Sequence, residues 1–374
     1  MSMIHELVVL TLAGIHFGVP LGYYSYLKRK WLRRSWNIKV DERFRAKLTV
    51  MIPTYNEADI IRAKLDNLYS QEYPRPLVEA IVIDSASEDG TAAIVEEWSR
   101  EHSDMSLSLI KDRERRGMVP SLNQALKSCP ISGNIVLFTD ADAIWNSCAL
   151  RDTVKYFADP NVGAVTTSVV PVDRASERTE AAYRGFYNTV RVAESKIHST
   201  PVHNAQGLVA FRTLILHAMG ALPTYTGNND STPASITAFM GYRAIQIDDE
   251  VFRERMGQQH RFLKKVRRAQ HLILSFLITK SYTKERGLYR KSAFNRVWRI
   301  EWYLHVANPW FLATSAAILV VDLLVSKSLG ALALSVLSLL LLGSGTFRMW
   351  VTEQVYLIVA LFRNLWTRDI AWTK

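Results

Sequence analysis

The residues of this 374-residue chain best suited to chemistry are carboxylates at the ends of apolar runs. Asn134 to Asp140 (NIVLFTD) is followed by Ala141 and Asp142, which sets two acids at i and i+2 just past a segment apolar enough to be buried. Such a pair is costly unless it is neutralised. Hard divalent cations, Mg2+ or Mn2+, take oxygen ligands of this kind and bridge them to phosphates. The same spacing also suits a polar loop. A second run ends in Ile83-Asp84-Ser85-Ala86-Ser87-Glu88-Asp89-Gly90-Thr91, where Asp84 can accept from a nucleotide base or the segment can be a capped turn. A third ends in Pro53-Thr54-Tyr55-Asn56-Glu57, which offers a ring for stacking and a carboxylate, or a plain strand-to-helix turn.

These motifs need a frame. Apolar runs at 48–52, 80–84, 107–111 and 134–140 predict buried strands, and the segments 57–70, 90–102 and 117–128 between them predict helices. Strand–helix alternation implies right-handed crossovers and a parallel sheet, an α/β class. Ligands of such sheets sit at the carboxyl ends of the strands, and all three motifs fall there.

The order of the motifs is more specific than any one of them. Pro-x-Tyr-Asn-Glu after the first strand, Asp84 after the second and Asp140-x-Asp142 after the fourth resemble family 2 glycosyltransferases of GT-A (Rossmann-like) fold. The membrane-bound, cellulose-synthase-like and lipid mannosyltransferase-like members are the most similar. Arg116-Gly117 and Leu122-Asn123 resemble that family's loop and helix, with Met118 a departure. The resemblance spans roughly 45–325.

It implies a nucleotide-sugar donor lying across Pro53, Tyr55, Glu57, Asp84, Arg116 and Asp140, with Mn2+ or Mg2+ held by Asp140 and Asp142. Gln206 and Gly207 of the run QGLVAFR (206–212) would line the acceptor side with Asn229. Asp230 would be the general base, although Asn229 stands where the family has Glu. Asp230 before Ser231-Thr232-Pro233 is also an ordinary helix cap. Lys264 to Arg268 occupies the place of the family's QxxRW motif without its Gln or Trp. Arg267 and Arg268 suit a diphosphate through bidentate hydrogen bonds, or these cations bind lipid head groups.

The formal net charge is +11, with Lys28, Arg29, Lys30, Arg33 and Arg34 directly after an apolar run and further cations at 264–268 and 280–299. Charge beside hydrophobic stretches fits a membrane surface, and no zinc-finger, helix-turn-helix or RNA-binding signature points to nucleic acid. Residues 7–27 are long enough to span a bilayer, and five cations after the run predict an N-terminal anchor rather than a cleaved leader. The expected organisation is an anchor (1–30), a GT-A catalytic domain (45–257), interfacial amphipathic helices (258–303), a transmembrane hairpin (304–350) and an interfacial C-terminal helix (351–374). That makes about three transmembrane helices, with the catalytic domain on the cytoplasmic side. Cys129 and Cys148 form no CxxC motif and read as buried thiols.

The implied reaction is inverting transfer of a hexose, leaning to GDP-mannose over UDP-glucose, onto a lipid-linked or glycolipid hydroxyl. A polyprenyl-phosphate sugar synthase and a processive polysaccharide synthase are the alternatives within the class. A non-catalytic nucleotide-binding scaffold would have eroded the carboxylates, and a nucleotidyltransferase would carry a Gly-rich phosphate loop that the chain lacks.

Overall fold

The computed structural model describes residues 2–171, 178–203, 207–224, 228–254 and 261–367. Its seven strands are β1 (Leu48–Thr54), β2 (Val78–Asp84), β3 (Ser106–Lys111), β4 (Ile135–Phe138), β5 (Val162–Pro171), β6 (Val209–Arg212) and β7 (Arg243–Glu254). They form one sheet in the order β3-β2-β1-β4-β6-β5-β7. The four strands expected from the sequence are parallel. The downstream half departs from that pattern, because β6 runs antiparallel to both β4 and β5 while β5 and β7 are parallel.

Helices α1 (Ser2–Leu27), α2 (Ala58–Tyr69), α3 (Thr91–Glu101), α4 (Met118–Ser128), α5 (Ala149–Val154), α6 (Arg178–Ile197), α7 (Thr213–Met219) and α8 (Ser231–Phe239) precede or cover the sheet. They are followed by α9 (Arg261–Glu285), α10 (Ala293–Trp302), α11 (Asn308–Val321), α12 (Leu329–Leu341) and α13 (Gly345–Arg363). β4 is buried along its whole length because its residues alternate between two cores. Ile135 and Leu137 pack with Leu48, Val50 and Trp98. Val136 and Phe138 pack with Met51, Leu122 and Phe211 on the other face.

Among the described residues two helical stretches are long and apolar enough to cross a membrane: Met3–Leu32, of mean hydropathy 1.6, and Ala293–Ser326, of mean hydropathy 1.8. Leu7, Leu10, Leu21, Val325 and Leu340 are among many large apolar side chains left exposed on these helices and on α12. Several of their polar side chains find partners inside the protein. His16 donates through Nδ1 to the Asn308 carbonyl at 2.9 Å and accepts at Nε2 from Trp350 Nε1, also at 2.9 Å. His5 meets Asp322 at 2.7 Å.

The expected boundaries at 303/304 and 350/351 are not where the backbone changes. α10 continues through a widened turn, Tyr303–Ala307, into α11 without a break. Beyond Ser328, the helix expected to reach 350 stops at Leu341, and α12 and α13 meet at an angle of 105°. Gly343 and Ser344 are poor helix formers, and Arg348 Nη1 takes up the Leu342 carbonyl at 3.1 Å. At 13 residues, α12 spans about 20 Å, short of the ~30 Å of a hydrocarbon core. The amphipathic α9 buries Val266, Ala269 and Ile273 against Leu357 and Ala360 of α13 and exposes Phe262, Leu263 and Leu277.

Candidate active site

Parallel pairing brings the first two motifs side by side, with Pro53 opposite Ile83 and Thr54 opposite Asp84. The loops that follow are tied together. Asn56, at φ 52°, donates its N–H to Ser87 Oγ at 2.9 Å and accepts from the Glu88 N–H at 3.0 Å, while Ala86 sits at φ 60°. Two non-glycine residues in the left-handed region mark stored strain at this edge. Asp84 is buried and accepts from the Ser87 N–H (3.1 Å) and hydroxyl (2.5 Å). The N–H of Glu57 donates to Thr91 Oγ1 at 2.9 Å, which joins the starts of α2 and α3. Over Tyr55 lies the Arg115 guanidinium, 4.0 Å from the ring centroid. Arg116 instead turns to Gln124 Oε1 at 2.9 Å and to Glu114. The turn before α4 needs its glycine, since Gly117 has φ 88°.

The Asp140–Asp142 loop hangs from α2. Lys64 Nζ, fully buried, donates to Thr139 Oγ1 at 2.9 Å and to the Ala143 carbonyl at 2.5 Å. Asn67 is bonded to the N–H and carbonyl of Trp145, both at 2.8 Å, and Gln71 Nε2 reaches the Asn146 carbonyl at 2.8 Å. Lys64 and Asn67, one turn apart on α2, and Gln71 just past its end thus pin the loop at three points. The Trp145 ring stacks under the lysine, with Nζ 3.7 Å from its centroid.

Reversal of β6 brings its entry point to this edge. The Gly207 carbonyl accepts from Thr139 Oγ1 and from Trp145 Nε1, both at 2.8 Å. Gly207 therefore abuts the carboxylate loop. Asn229 is buried nearby in sequence to Asp230, and Gln206 lies outside the described residues.

The electrostatics converge on Asp140. Burial, then repulsion from Asp142, holds its carboxyl well above the usual range, against the pull of Lys64, with smaller contributions from Asp230 and Arg268. Lys64 is pushed down by burial to about 7 although Asp140 and Asp142 pull it up. Asp140 carries the cost of burial while Asp142 is exposed, and an acidic pair of this kind fits a hard divalent cation. Among the described residues no group of three or more His, Cys, Asp or Glu side chains is arranged for a metal. A cation here would rest on Asp140 and Asp142, with phosphate and water oxygens completing its shell.

Asp230 caps α8, accepting from the Ser231 N–H, and its own N–H donates to Asn228 Oδ1 at 3.0 Å. Asp230 is thus the helix cap, and its charge also reaches Asp140. From α6, Arg191 faces it electrostatically, together with Glu301 and Glu194. Of the two α9 arginines, Arg268 is the one whose charge is felt at Asp140.

Lys64, Arg115 and Arg191 carry no part in the sequence reading. Lys64 had a signal: it occupies a core position in the apolar face Ile61, Leu65, Leu68 of α2, where a lysine demands a buried partner. Nothing local distinguishes Arg115 from Arg116.

The family model for Glycosyl transferase family 2 matches residues 49–214. The mannosyltransferase PcManGT of Pyrobaculum calidifontis, solved in complex with GDP-Man and Mn2+, is 41% identical and superposes with a TM-score of 0.84, covering 97% of this chain and 99% of its own. Poly-beta-1,6-N-acetyl-D-glucosamine synthase of Staphylococcus epidermidis is 29% identical over 154 residues, 41% of this chain and 36% of that protein. A Methanococcus voltae glucuronosyltransferase, named for a dolichyl N-acetyl-alpha-D-glucosaminyl phosphate, is 24% identical over 110 residues, 29% of this chain and 33% of its own. The matched region spans about a third of the length of these two curated relatives.

Proposed function

This chain belongs to glycosyl transferase family 2 and is a hexosyltransferase, and on that premise we propose that it moves mannose from GDP-mannose to a hydroxyl of a lipid-linked acceptor at a membrane surface. The observation that carries this reading is the Asp140–Asp142 pair on a loop that Lys64 holds at the carboxyl edge of the sheet, with the charges of Asp230 and Arg268 felt at Asp140. The mannosyl donor is supported by likeness to PcManGT along nearly the whole chain. The lipid acceptor is supported by the apolar helices that flank the catalytic domain and by the dolichyl-linked substrate in the Methanococcus relative's name.

In this mechanism the guanosine base lies against Tyr55 and Arg115, with Pro53, Glu57 and Asp84 shaping the pocket and Arg116 at its outer rim. Mn2+ or Mg2+ on Asp140 and Asp142, when bound, supplies positive charge to the departing diphosphate. Arg267 and Arg268 add guanidinium charge from α9. The acceptor enters along Gly207 and Asn229. Asp230 takes the proton of its hydroxyl as that oxygen bonds to the anomeric carbon from the face opposite the leaving group. The bond from that carbon to the phosphate oxygen breaks with both electrons, so the nucleotide diphosphate leaves and the configuration inverts.

The test is a panel of nucleotide-diphosphate sugars with Mn2+ or Mg2+, following sugar release and labelling of a lipid extract. GDP-mannose is expected to give a labelled lipid, with chelation of the metal stopping the reaction. Release from no donor would favour a non-catalytic scaffold, and a UDP-sugar preference would overturn the donor assignment.

A further inference from the structure

Away from the carboxylates, a cavity of about 730 Å3 opens between the end of α9 and the start of α10. Lys280, Lys284, Arg290, Lys291, Arg296 and Arg299 line it, with no acidic residue among the lining side chains. Among the described residues none of the six pairs with a carboxylate; the neighbouring Glu285 faces Arg286 and Ser281. Like charges gather here against their own repulsion, at the N-terminal end of α10, whose Ser292 cap and first residues form part of the wall. A helix N-terminus adds partial positive charge and unpaired N–H groups to a site that already favours an anion.

The cleft is separate from the candidate active site. Tyr289 on its wall packs on Phe239 at the C-terminal end of α8, with ring centroids 5.4 Å apart, whereas Asp230 caps the other end. Nine helical residues put about 13 Å between those ends.

Its height on the molecule identifies the anion. Arg296 and Arg299 lie in the opening turns of the helix that runs without a break to Ser326 through the apolar stretch. Lys280 Nζ stands 5.9 Å over the Trp302 ring, and Tyr303 and Trp310 follow. Tryptophan and tyrosine at the start of an apolar span mark the level of lipid head groups. We infer that this basic cleft binds the phosphate head group of an anionic phospholipid and so fixes the depth and tilt at which the catalytic domain meets the membrane. The inference rests on the membrane reading proposed above.

The full chain, purified in neutral detergent, is titrated with dihexanoyl phosphatidic acid, dihexanoyl phosphatidylcholine and inorganic phosphate while thermal unfolding is followed. Phosphatidic acid is expected to raise Tm saturably, and the other two to leave it unchanged. Combining Arg290→Ser, Lys291→Ser and Arg296→Ser should weaken the phosphatidic acid response roughly 100-fold, from the loss of three cations at a lipid surface. The charge-matched set Lys39→Ser, Arg43→Ser and Lys127→Ser should keep the wild-type response. Donor turnover by each variant reports that it is folded, and Arg290→Ser alone serves if the triple variant is not. A wild-type response in the cleft variant, equal loss in the charge-matched control, or the same rise with inorganic phosphate would each overturn the assignment. Recovery of the chain from cells without detergent would instead sink the membrane reading, and the short-chain titration would still report on the cleft.

Discussion

Between Ile61 and Leu65, where the helical period of α2 asks for an apolar side chain, the sequence has Lys64. Its ammonium holds Thr139 and Ala143, the residues on either side of the carboxylate pair. Lys64→Met keeps the volume and removes the charge, leaving those acceptors without a donor and Asp140 and Asp142 without a buried counter-ion. The expected cost is about 3 kcal/mol, read as a lower Tm, with a kcat at least tenfold lower. An unchanged Tm and kcat would refute the role. Tyr55 makes a different prediction. Loss of a stacking face is worth about 1–3 kcal/mol, so Tyr55→Ala should raise the KM for the donor roughly tenfold or more with a smaller effect on kcat. At this scale the sequence was legible for position, since Asp84 ends β2 and Asp140 and Asp142 follow β4 as the order of the motifs implied. It was opaque for Lys64 and Arg115, whose roles depend on what the fold sets opposite them.

Elements show the same division. β1 to β4 and α2 to α4 lie within a few residues of their expected bounds, because unbroken apolar runs and Gly or Asp turns define them. Hydrophobic periodicity carries no direction, so the reversal of β6, which delivers Gly207 to Thr139, could not be read. The break at Leu342–Ser344 was hidden in a leucine-rich run that satisfies a spanning helix by composition alone. One element-scale prediction concerns the seat of α8. His203 is buried, its N–H donates to Ser231 Oγ at 2.9 Å, and its ring bonds the Thr200 carbonyl. Burial pushes it from its ordinary 6.5 down to about 3. The folded state therefore keeps His203 neutral while the unfolded chain protonates it below 6.5. Its stability contribution is intact above pH 6.5 and is lost as pH falls toward 3, by up to about 1.4 kcal/mol per unit. His203→Gln should flatten the fall of Tm between pH 6 and about 4 relative to wild type; parallel curves would count against it.

The whole molecule is an α/β domain with apolar helices before and after it in the chain. Exposed leucines on α1 and α12 would cost too much in water, and a membrane removes that cost. If the apolar helices span a membrane as proposed, an alkaline carbonate wash of expressing cells' membranes should leave the chain in the pellet, with release only by detergent; release by carbonate would contradict that proposal.

The central step of the proposed mechanism is Asp230 taking the acceptor's proton beside the Asp140–Asp142 pair. Its most direct test is a paired measurement on Asp230→Asn with GDP-mannose, Mn2+ and a lipid extract containing the acceptor. Donor affinity should stay within about threefold of wild type while the transfer rate falls by a factor of about 1,000 or more, since the base is lost and the donor pocket is not. Transfer at the wild-type rate would contradict it.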